Sequence, residues 1–390
     1  MANEKRRETE VSNHEPSCAI KPTKGASSPL MPPRRVMIVM SPKAGTGLGR
    51  EQLPQLIDRL QQAGVEVTAT DKISDLQQFD SRAQQEPTGA DLVVAAGGDG
   101  TVSLVAEHVT PRIPMVPMPL GTENLLARQF GYTSAAESVF DTIVRGDSYW
   151  LDAGRANGKL FLVMASCGFD AEVVRALHLT RKGHINRLSY AGPIWRAMRR
   201  YHFPALRVRM DAAVGADAGA QPAAIVTDAI GDSPCGDAVT NGPPSSGPPS
   251  SGPPLGRSRS SDSLAGERPV LQTDSAESTS IRCCWAMVFN LPKYGGDLLI
   301  EPDAVGNDGR LDAILFTRGS LWSGLRYVAG IKLGRHQRFQ DVVRRTAKRV
   351  HITSDQRVPY QLDGDYAGHL PLTIETIPQR IHLRVPVTPG

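Results

Sequence analysis

The sequence predicts an α/β domain followed by a larger, mainly antiparallel β domain. Between residues 34 and 146, short apolar runs alternate with stretches whose apolar residues recur at helical spacing. From Tyr149 onward the apolar runs are mostly of strand length. Glycine-rich turns follow three strands of the first region and lead into helices. In a parallel sheet covered by helices, such turns gather at the carboxyl ends of the strands, where ligands bind.

In chain order, Val36 to Met40 reads as a strand, Gly49 to Ala63 as an amphipathic helix and Val65 to Thr70 as a strand. Leu92-Val93-Val94 reads as a buried parallel strand, Val102 to Val109 as a helix, Met115 to Met118 as a strand and Ala135 to Val144 as a helix. The second region gives strands at Leu160 to Ala165, Leu206 to Met210, Trp285 to Phe289, Leu311 to Phe316, Arg349 to Ile352, Leu372 to Thr376 and His382 to Val385. Residues 1–33 are polar, proline-bearing and without periodicity, which predicts a disordered tail. Residues 212–280 carry a near-repeat of Gly-Pro-Pro-Ser-Ser and predict a disordered insertion. Strand-like flanks on both sides make it a lengthened loop within one domain, a change that costs little free energy. The expected organisation is an α/β domain over 34–147 and a β-rich domain over 148–388, interrupted by 212–280.

Composition narrows the function classes. The chain has 390 residues, 40% hydrophobic and 22% charged, as in ordinary soluble globular proteins. A net charge of +4 gives no case for nucleic acid. No apolar run reaches the roughly 18 residues a membrane span needs. The N-terminal stretch has no apolar core of a secretory signal. Five scattered cysteines suit neither a disulfide framework nor a zinc site, and a reducing cytosol is expected.

The turn Gly97-Gly98-Asp99-Gly100-Thr101 follows a strand and opens a helix. Its glycines let the backbone bend tightly and bring bare N–H groups to an anion, and the helix N-terminus adds partial positive charge. Asp99, among three glycines, is placed to face a metal or the ligand shell of a phosphate, although a plain strand-to-helix turn carries similar glycines. Ser41-Pro42-Lys43-Ala44-Gly45 and Leu120-Gly121-Thr122-Glu123-Asn124 are two further loops of this kind. Three loops after three strands of one sheet converge at its carboxyl edge.

Together with Cys167-Gly168-Phe169-Asp170-Ala171, Asn307-Asp308-Gly309-Arg310-Leu311-Asp312 and Leu362-Asp363-Gly364-Asp365, these motifs resemble, in order, the catalytic domain of the bacterial diacylglycerol kinases, relatives of sphingosine and ceramide kinases. The resemblance covers residues 34 to 385 apart from the insertion. It implies a nucleotide domain like those of phosphofructokinase and NAD kinase, a β-sandwich domain, ATP between them, and Mg²⁺. Ser41, Pro42, Lys43, Ala44 and Gly45, with Gly97, Gly98, Asp99, Gly100, Thr101, Val102, Ser103 and Leu104, then cradle ATP phosphates, with Thr122 and Asn124 from the third loop. Asp99 holds the catalytic Mg²⁺ through water, and Asp152 is a second acidic member of that network. Asp308, with carbonyls near Val305 and Arg310, resembles a structural Mg²⁺ site, although an ordinary Asp-Gly turn would look the same.

The resemblance makes Asp365 the general base. The family usually has Glu there, so this side chain is shorter by about 1.5 Å. Ser41 replaces the usual Asn, and Leu125 stands where many relatives have Asp. NAD kinase shares Gly-Gly-Asp-Gly but neither the third loop nor the Leu362 to Asp365 motif. The expected activity is phosphorylation of a lipid alcohol, diacylglycerol first and a sphingoid base or ceramide second. A catalytically idle lipid- or nucleotide-binding module is the alternative that Leu125 and Asp365 motivate. The expected location is cytoplasmic and peripheral to a membrane, with a homodimer allowed. His184 to Phe203, apolar residues mixed with arginines, fits an amphipathic lipid-facing helix or ordinary core-facing surface. A second basic cluster, Arg335-His336-Gln337-Arg338 with Arg344, Arg345, Lys348 and Arg349, fits a membrane-facing or simply solvated face.

Overall fold

The computed structural model describes residues 33–41, 48–85, 91–180, 201–211, 280–295 and 298–387. The expected tail through residue 32, the first-loop residues Pro42 to Gly45, the stretch 184–200 and the insertion from 212 to 279 lie outside the described residues.

The first region builds β1 (Arg35–Met40), α1 (Leu48–Gln62), β2 (Glu66–Thr70), α2 (Ile73–Gln85), β3 (Asp91–Gly97), α3 (Asp99–His108), β4 (Met115–Pro119), α4 (Leu125–Gln129) and α5 (Ala136–Arg145). The strands pair in parallel in the order β2-β1-β3-β4. Every residue of β3 is buried, as expected of a central strand with helices on both faces. A two-pronged ion pair between Arg35 and Asp91 ties the entry of β1 to that of β3, with Nη2 to Oδ2 at 2.8 Å. On α1, Leu56 and Leu60 stand one turn apart and wholly buried. The Gln52 side chain on the same helix accepts from the Ala136 amide at 2.8 Å and caps the start of α5. Helix α2 escapes the sequence reading because Leu76 is its one fully buried apolar side chain and its other buried residue is Asp80. That carboxylate accepts from the amide and hydroxyl of Thr110, both at 2.9 Å.

The second region adds β5 (Asp147–Ala156), β6 (Lys159–Phe161), β7 (Met164–Cys167), α6 (Phe169–Thr180), β8 (Leu206–Met210), β9 (Ile281–Cys283), β10 (Trp285–Phe289), β11 (Lys293–Tyr294) and β12 (Leu298–Leu299). It ends with β13 (Leu311–Phe316), α7 (Leu321–Lys332), β14 (Val342–Ala347), β15 (Arg349–Thr353), β16 (Pro359–Leu362), β17 (Asp365–His369) and β18 (Leu372–Val385). Six strands form an antiparallel sheet in the order β14-β13-β10-β7-β16-β17. Strands β10 and β13 are almost wholly buried yet alternate strictly between two cores. Ala286, Val288, Leu311, Ala313 and Leu315 face the core between the sheets, while Trp285, Met287, Phe289, Ile314 and Phe316 face a second core. With period-two side chains, this sheet is a middle layer buried on both faces.

The opposing layer is not a separate sheet. Strand β18 pairs antiparallel with β15 and β5 and, through Leu383 and Met115, parallel with β4. One ten-stranded sheet therefore runs from the parallel α/β layer into the antiparallel sandwich. The expected strand at 160–165 is two strands, β6 and β7. The expected strands at 372–376 and 382–385 are one, with a register shift between Ile377 and Ile381. Strand β8 pairs with β9, so residues 211–280 connect neighbouring antiparallel strands.

Candidate active site

The second and third glycine loops touch backbone to backbone. A Cβ placed on Gly121 would stand 2.5 Å from the Gly98 Cα, so this approach admits only glycine. The Leu120 amide donates to the Gly97 carbonyl at 2.9 Å, extending the β3–β4 pairing to the sheet edge. Asn124, left-handed at φ +50°, closes its own loop: its side chain accepts from the Gly121 amide at 3.0 Å and donates to the Gly121 carbonyl at 2.9 Å. Ser41 joins them through its amide, 3.3 Å from the Ala96 carbonyl. The structure therefore brings Ser41, Gly97, Gly98, Asp99, Thr122 and Asn124 to one sheet edge.

Asp99 begins α3, and its carboxylate reaches across to the start of α4, 3.4 Å from the Leu126 amide. Burial raises its carboxyl above the ordinary range, opposed by the amides of Leu126, Leu125 and Asn124. Within the same turn the Thr101 and Val102 amides donate back to the Gly98 carbonyl, at 2.9 and 3.2 Å. Of the amides ahead of them, that of Asp99 bonds its own carboxylate, and that of Gly100 is one a helix N-terminus leaves for an anion. Ser103 and Leu104 lie farther into α3, and Val102 points into the core.

Opposite stands the hairpin of β16 and β17. Its two-residue turn, Asp363-Gly364, has φ of +49° and +91°, the mirror-image turn that matches strand twist. The Asp363 carboxylate accepts from three successive amides, Leu162 at 2.7 Å and Val163 and Met164 at 2.9 Å. Burial pushes its carboxyl up to about 6 against those amides, and the negative field of Asp99 adds to the push. Asp365 follows the turn and is exposed.

A buried polar relay fixes this turn from behind. The Gly364 amide donates to the Gln361 side chain at 2.7 Å, and Gln361 Nε2 donates to Ser166 Oγ at 2.8 Å. Ser166 donates to Asp170, which also accepts from the Trp285 indole at 2.7 Å. Burial holds the Asp170 carboxyl above its usual range. Tyr294, on β11, presents a hydroxyl raised well above the usual range, first by burial and then by the fields of Asp170, Asp363, Asp365 and Glu123. The fields of carboxylates from the third loop and the β16–β17 hairpin thus reach one phenol. The sequence reading missed Tyr294 and Gln361. The Gly-Gly turn after Tyr294 was a signal for a hairpin, and Gln361 carried none.

Asp152 is held by a different loop. Its carboxylate accepts from Gly309 at 2.6 Å and from Gln379 at 2.7 Å, and its amide donates to the Gly306 carbonyl at 2.7 Å. The structure therefore places Asp152 with the Asn307 to Leu311 loop. Asp308 accepts from the Arg310 amide at 2.9 Å, and Val305 is exposed. Burial and then Asp308 raise the Asp152 carboxyl, opposed by its two amides. The nearby Tyr149 hydroxyl, pushed up to about 12 by burial, Asp152 and Asp308, is buried and finds no hydrogen-bond partner among the described residues. An unsatisfied hydroxyl beside two mutually repelling carboxylates fits a hydrated Mg²⁺, which keeps most of its waters and needs only one or two carboxylates. Among the described residues no cluster of three or more His, Cys, Asp or Glu forms a closed metal cage.

Residues 35–156 match the family model of the diacylglycerol kinase catalytic domain, and residues 266–385 match that of the YegS C-terminal NAD kinase beta sandwich-like domain. A diacylglycerol kinase of Staphylococcus carnosus (strain TM300) is 24% identical over 360 residues, 90% of this chain and 95% of that protein. One of Bacillus subtilis (strain 168) is 23% identical over 361 residues, 90% of this chain and 97% of that protein. One of Staphylococcus aureus (strain JH9) is 32% identical over 142 residues, 35% of this chain and 44% of that protein. A crystal structure from Bacillus anthracis str. Sterne shares the fold, with a TM-score of 0.56 at 17% identity over 90% of this chain and 97% of that one. With both domain models matched in order and relatives aligned along nearly their whole length, the chain belongs to the diacylglycerol kinase family.

Proposed function

We propose that this chain is an ATP- and Mg²⁺-dependent lipid kinase that converts diacylglycerol to phosphatidic acid while resting against a membrane surface. One observation carries the reading: two glycine loops in backbone contact at a sheet edge, with Asp99 close enough for its field to reach the hairpin turn before Asp365. Phosphoryl transfer requires positioning of two substrates and neutralisation of charge on the moving group. The amide of Gly100 and the third loop bind the ATP phosphates, and Asp365 takes the proton of the lipid hydroxyl. That oxygen bonds to the γ-phosphorus as the bond to the ADP oxygen breaks. The relay through Gln361, Ser166 and Asp170 keeps Asp365 aimed during the step. Asp99 would hold Mg²⁺, which would supply neutralisation of phosphate charge.

The test is transfer of label from γ-labelled ATP to short-chain diacylglycerol, with Asp99→Ala as control. Labelled phosphatidic acid from the unaltered chain alone is the expected result. Equal label from both proteins, or none from either, refutes the reading in favour of an idle binding module. Preferential labelling of a sphingoid base or ceramide on a lipid panel corrects the acceptor.

A further inference from the structure

Helix α7 carries a solvent face with no role in the site just described. Trp322 is 80% exposed and Leu333, at its C-terminal cap, 68%. They stand eleven residues apart, three turns along the helix and only about 20° around it, so both project from one face. Ala329 is also exposed and occupies the same stripe. The flanks are basic: from Arg318 to Gln340 the chain has Arg318, Arg326, Lys332, Arg335 and Arg338 and no acidic residue. Beside the helix, an open depression of about 310 Å³ is lined by Arg318, Arg326, Arg338, Phe339, Gln340 and Asp341. Asp341 pairs with Arg326 and lies 3.7 Å from Arg318, so two guanidinium groups flank the carboxylate while Arg338 adds a third cation to the lining. The helix sits close to the site, packed on β12, whose hairpin partner β11 carries Tyr294 and touches α4.

We infer that this face of α7 docks on an anionic bilayer, with Trp322 and Leu333 at the headgroup boundary and a lipid phosphate in the arginine-lined depression. The inference deepens the lipid-kinase reading and rests on it. An exposed indole beside cations is the chemistry of a membrane interface. Charge selects this occupant over a second copy of the chain, because a two-fold contact would set this basic surface against itself.

The test sediments the full chain with vesicles of phosphatidylcholine alone or of phosphatidylcholine and phosphatidylglycerol in equal parts. The unaltered protein partitions onto the mixed vesicles and is released by salt. Partition falls on the order of tenfold or more in Trp322→Ser/Leu333→Ser and in Arg335→Glu/Arg338→Glu. All three proteins phosphorylate short-chain diacylglycerol in neutral detergent micelles at one rate, which checks the kinase reading separately. Undiminished partition of both variants overturns the inference. So does equal binding to the two vesicle types, or loss of a dimer by light scattering with vesicle binding retained. Should either variant fail to fold, salt titration of the unaltered protein decides, since salt-independent partition also overturns it.

Discussion

Gly121→Ala tests the geometry on which the site depends. The added methyl would stand 2.5 Å from the Gly98 Cα, 2.8 Å from Asn124 Oδ1 and 3.2 Å from the Gly98 amide nitrogen. Non-bonded carbons rest near 3.5 Å or beyond, so the two loops must part by about 1 Å. Both sides of the closest contact are backbone and cannot rotate away. Overpacking of this kind costs about 1–3 kcal/mol, or roughly 5- to 150-fold in whatever equilibrium needs the loops together. Two neighbours calibrate it. A Cβ on Gly98 meets Gly121 at 3.3 Å, a contact that a few tenths of an ångström would relieve, and one on Gly100 meets nothing within 4 Å. Urea midpoints should therefore rank Gly100→Ala above Gly98→Ala above Gly121→Ala. The ATP affinity of Gly121→Ala, by calorimetry, should fall by at least fivefold. A Gly121→Ala protein as stable as Gly100→Ala, with unaltered ATP affinity, would refute the loop contact.

Asp365→Asn should lower kcat on the order of 10²- to 10⁴-fold with the KM for ATP unchanged, and Asp365→Glu should retain or raise kcat; a steady-state assay decides both. Asp152→Ala leaves the Gly309 and Gln379 amides unpaired and should cost about 3 kcal/mol in urea unfolding with chelator present. A loss seen only with Mg²⁺ would make Asp152 a ligand and not a structural anchor. His382 is held down to about 4 by burial and then by Arg384 while stacking on Trp150. The unfolded chain takes up this proton near pH 6.5 and the folded chain only near 4, so stability present above pH 6.5 falls as pH drops, by roughly 3 kcal/mol in all. His382→Gln should flatten that slope in urea midpoints measured between pH 4 and 7, and an unchanged slope would contradict the assignment.

The α/β pattern was legible because β1, β3 and β4 are buried along almost their whole length, which forces continuous apolar runs such as Leu92-Val93-Val94. The glycine loops were legible because close backbone approach excludes every side chain, a constraint that Gly98 and Gly121 write directly into the residue type. Strands β5, β14, β16 and β17 were not, since half-buried or polar residues dilute their alternation. Gln361 and Asp170 could not be placed from spacing, because their partnership spans 191 residues and exists only once β7 and β16 pair. The basic cluster from Arg335 to Arg349 reads in sequence as one surface, but Arg344 turns back to pair with Glu301 and Asp303. His336 is buried, with Nε2 2.7 Å from the Ile300 carbonyl.

The change from parallel to antiparallel regime suggests two bodies, yet one strand belongs to both. Leu372 and Ile374 of β18 fill the core between the sandwich layers, while Ile381, Leu383 and Val385 fill the core that includes the α/β layer. The break falls at Pro378, which has no ladder donor, and Gln379, whose φ of +49° marks the bulge. A bulge leaves an amide without its ladder partner, and Asp152 accepts from that of Gln379. With its other oxygen Asp152 holds Gly309, and with its carbonyl it accepts from Asn290 at 2.9 Å. The bend of the shared strand, the Asn307 to Leu311 loop and the end of β10 are therefore fixed at one residue. The proposed phosphoryl transfer needs the glycine loops and Asp365 held in register, and they stand on different sheets. A shared strand pinned at its bend resists their separation with short hydrogen bonds where a flexible linker would yield. Asp152, to which the family resemblance gives a place in the metal network, also holds the bend of the strand that joins the two halves.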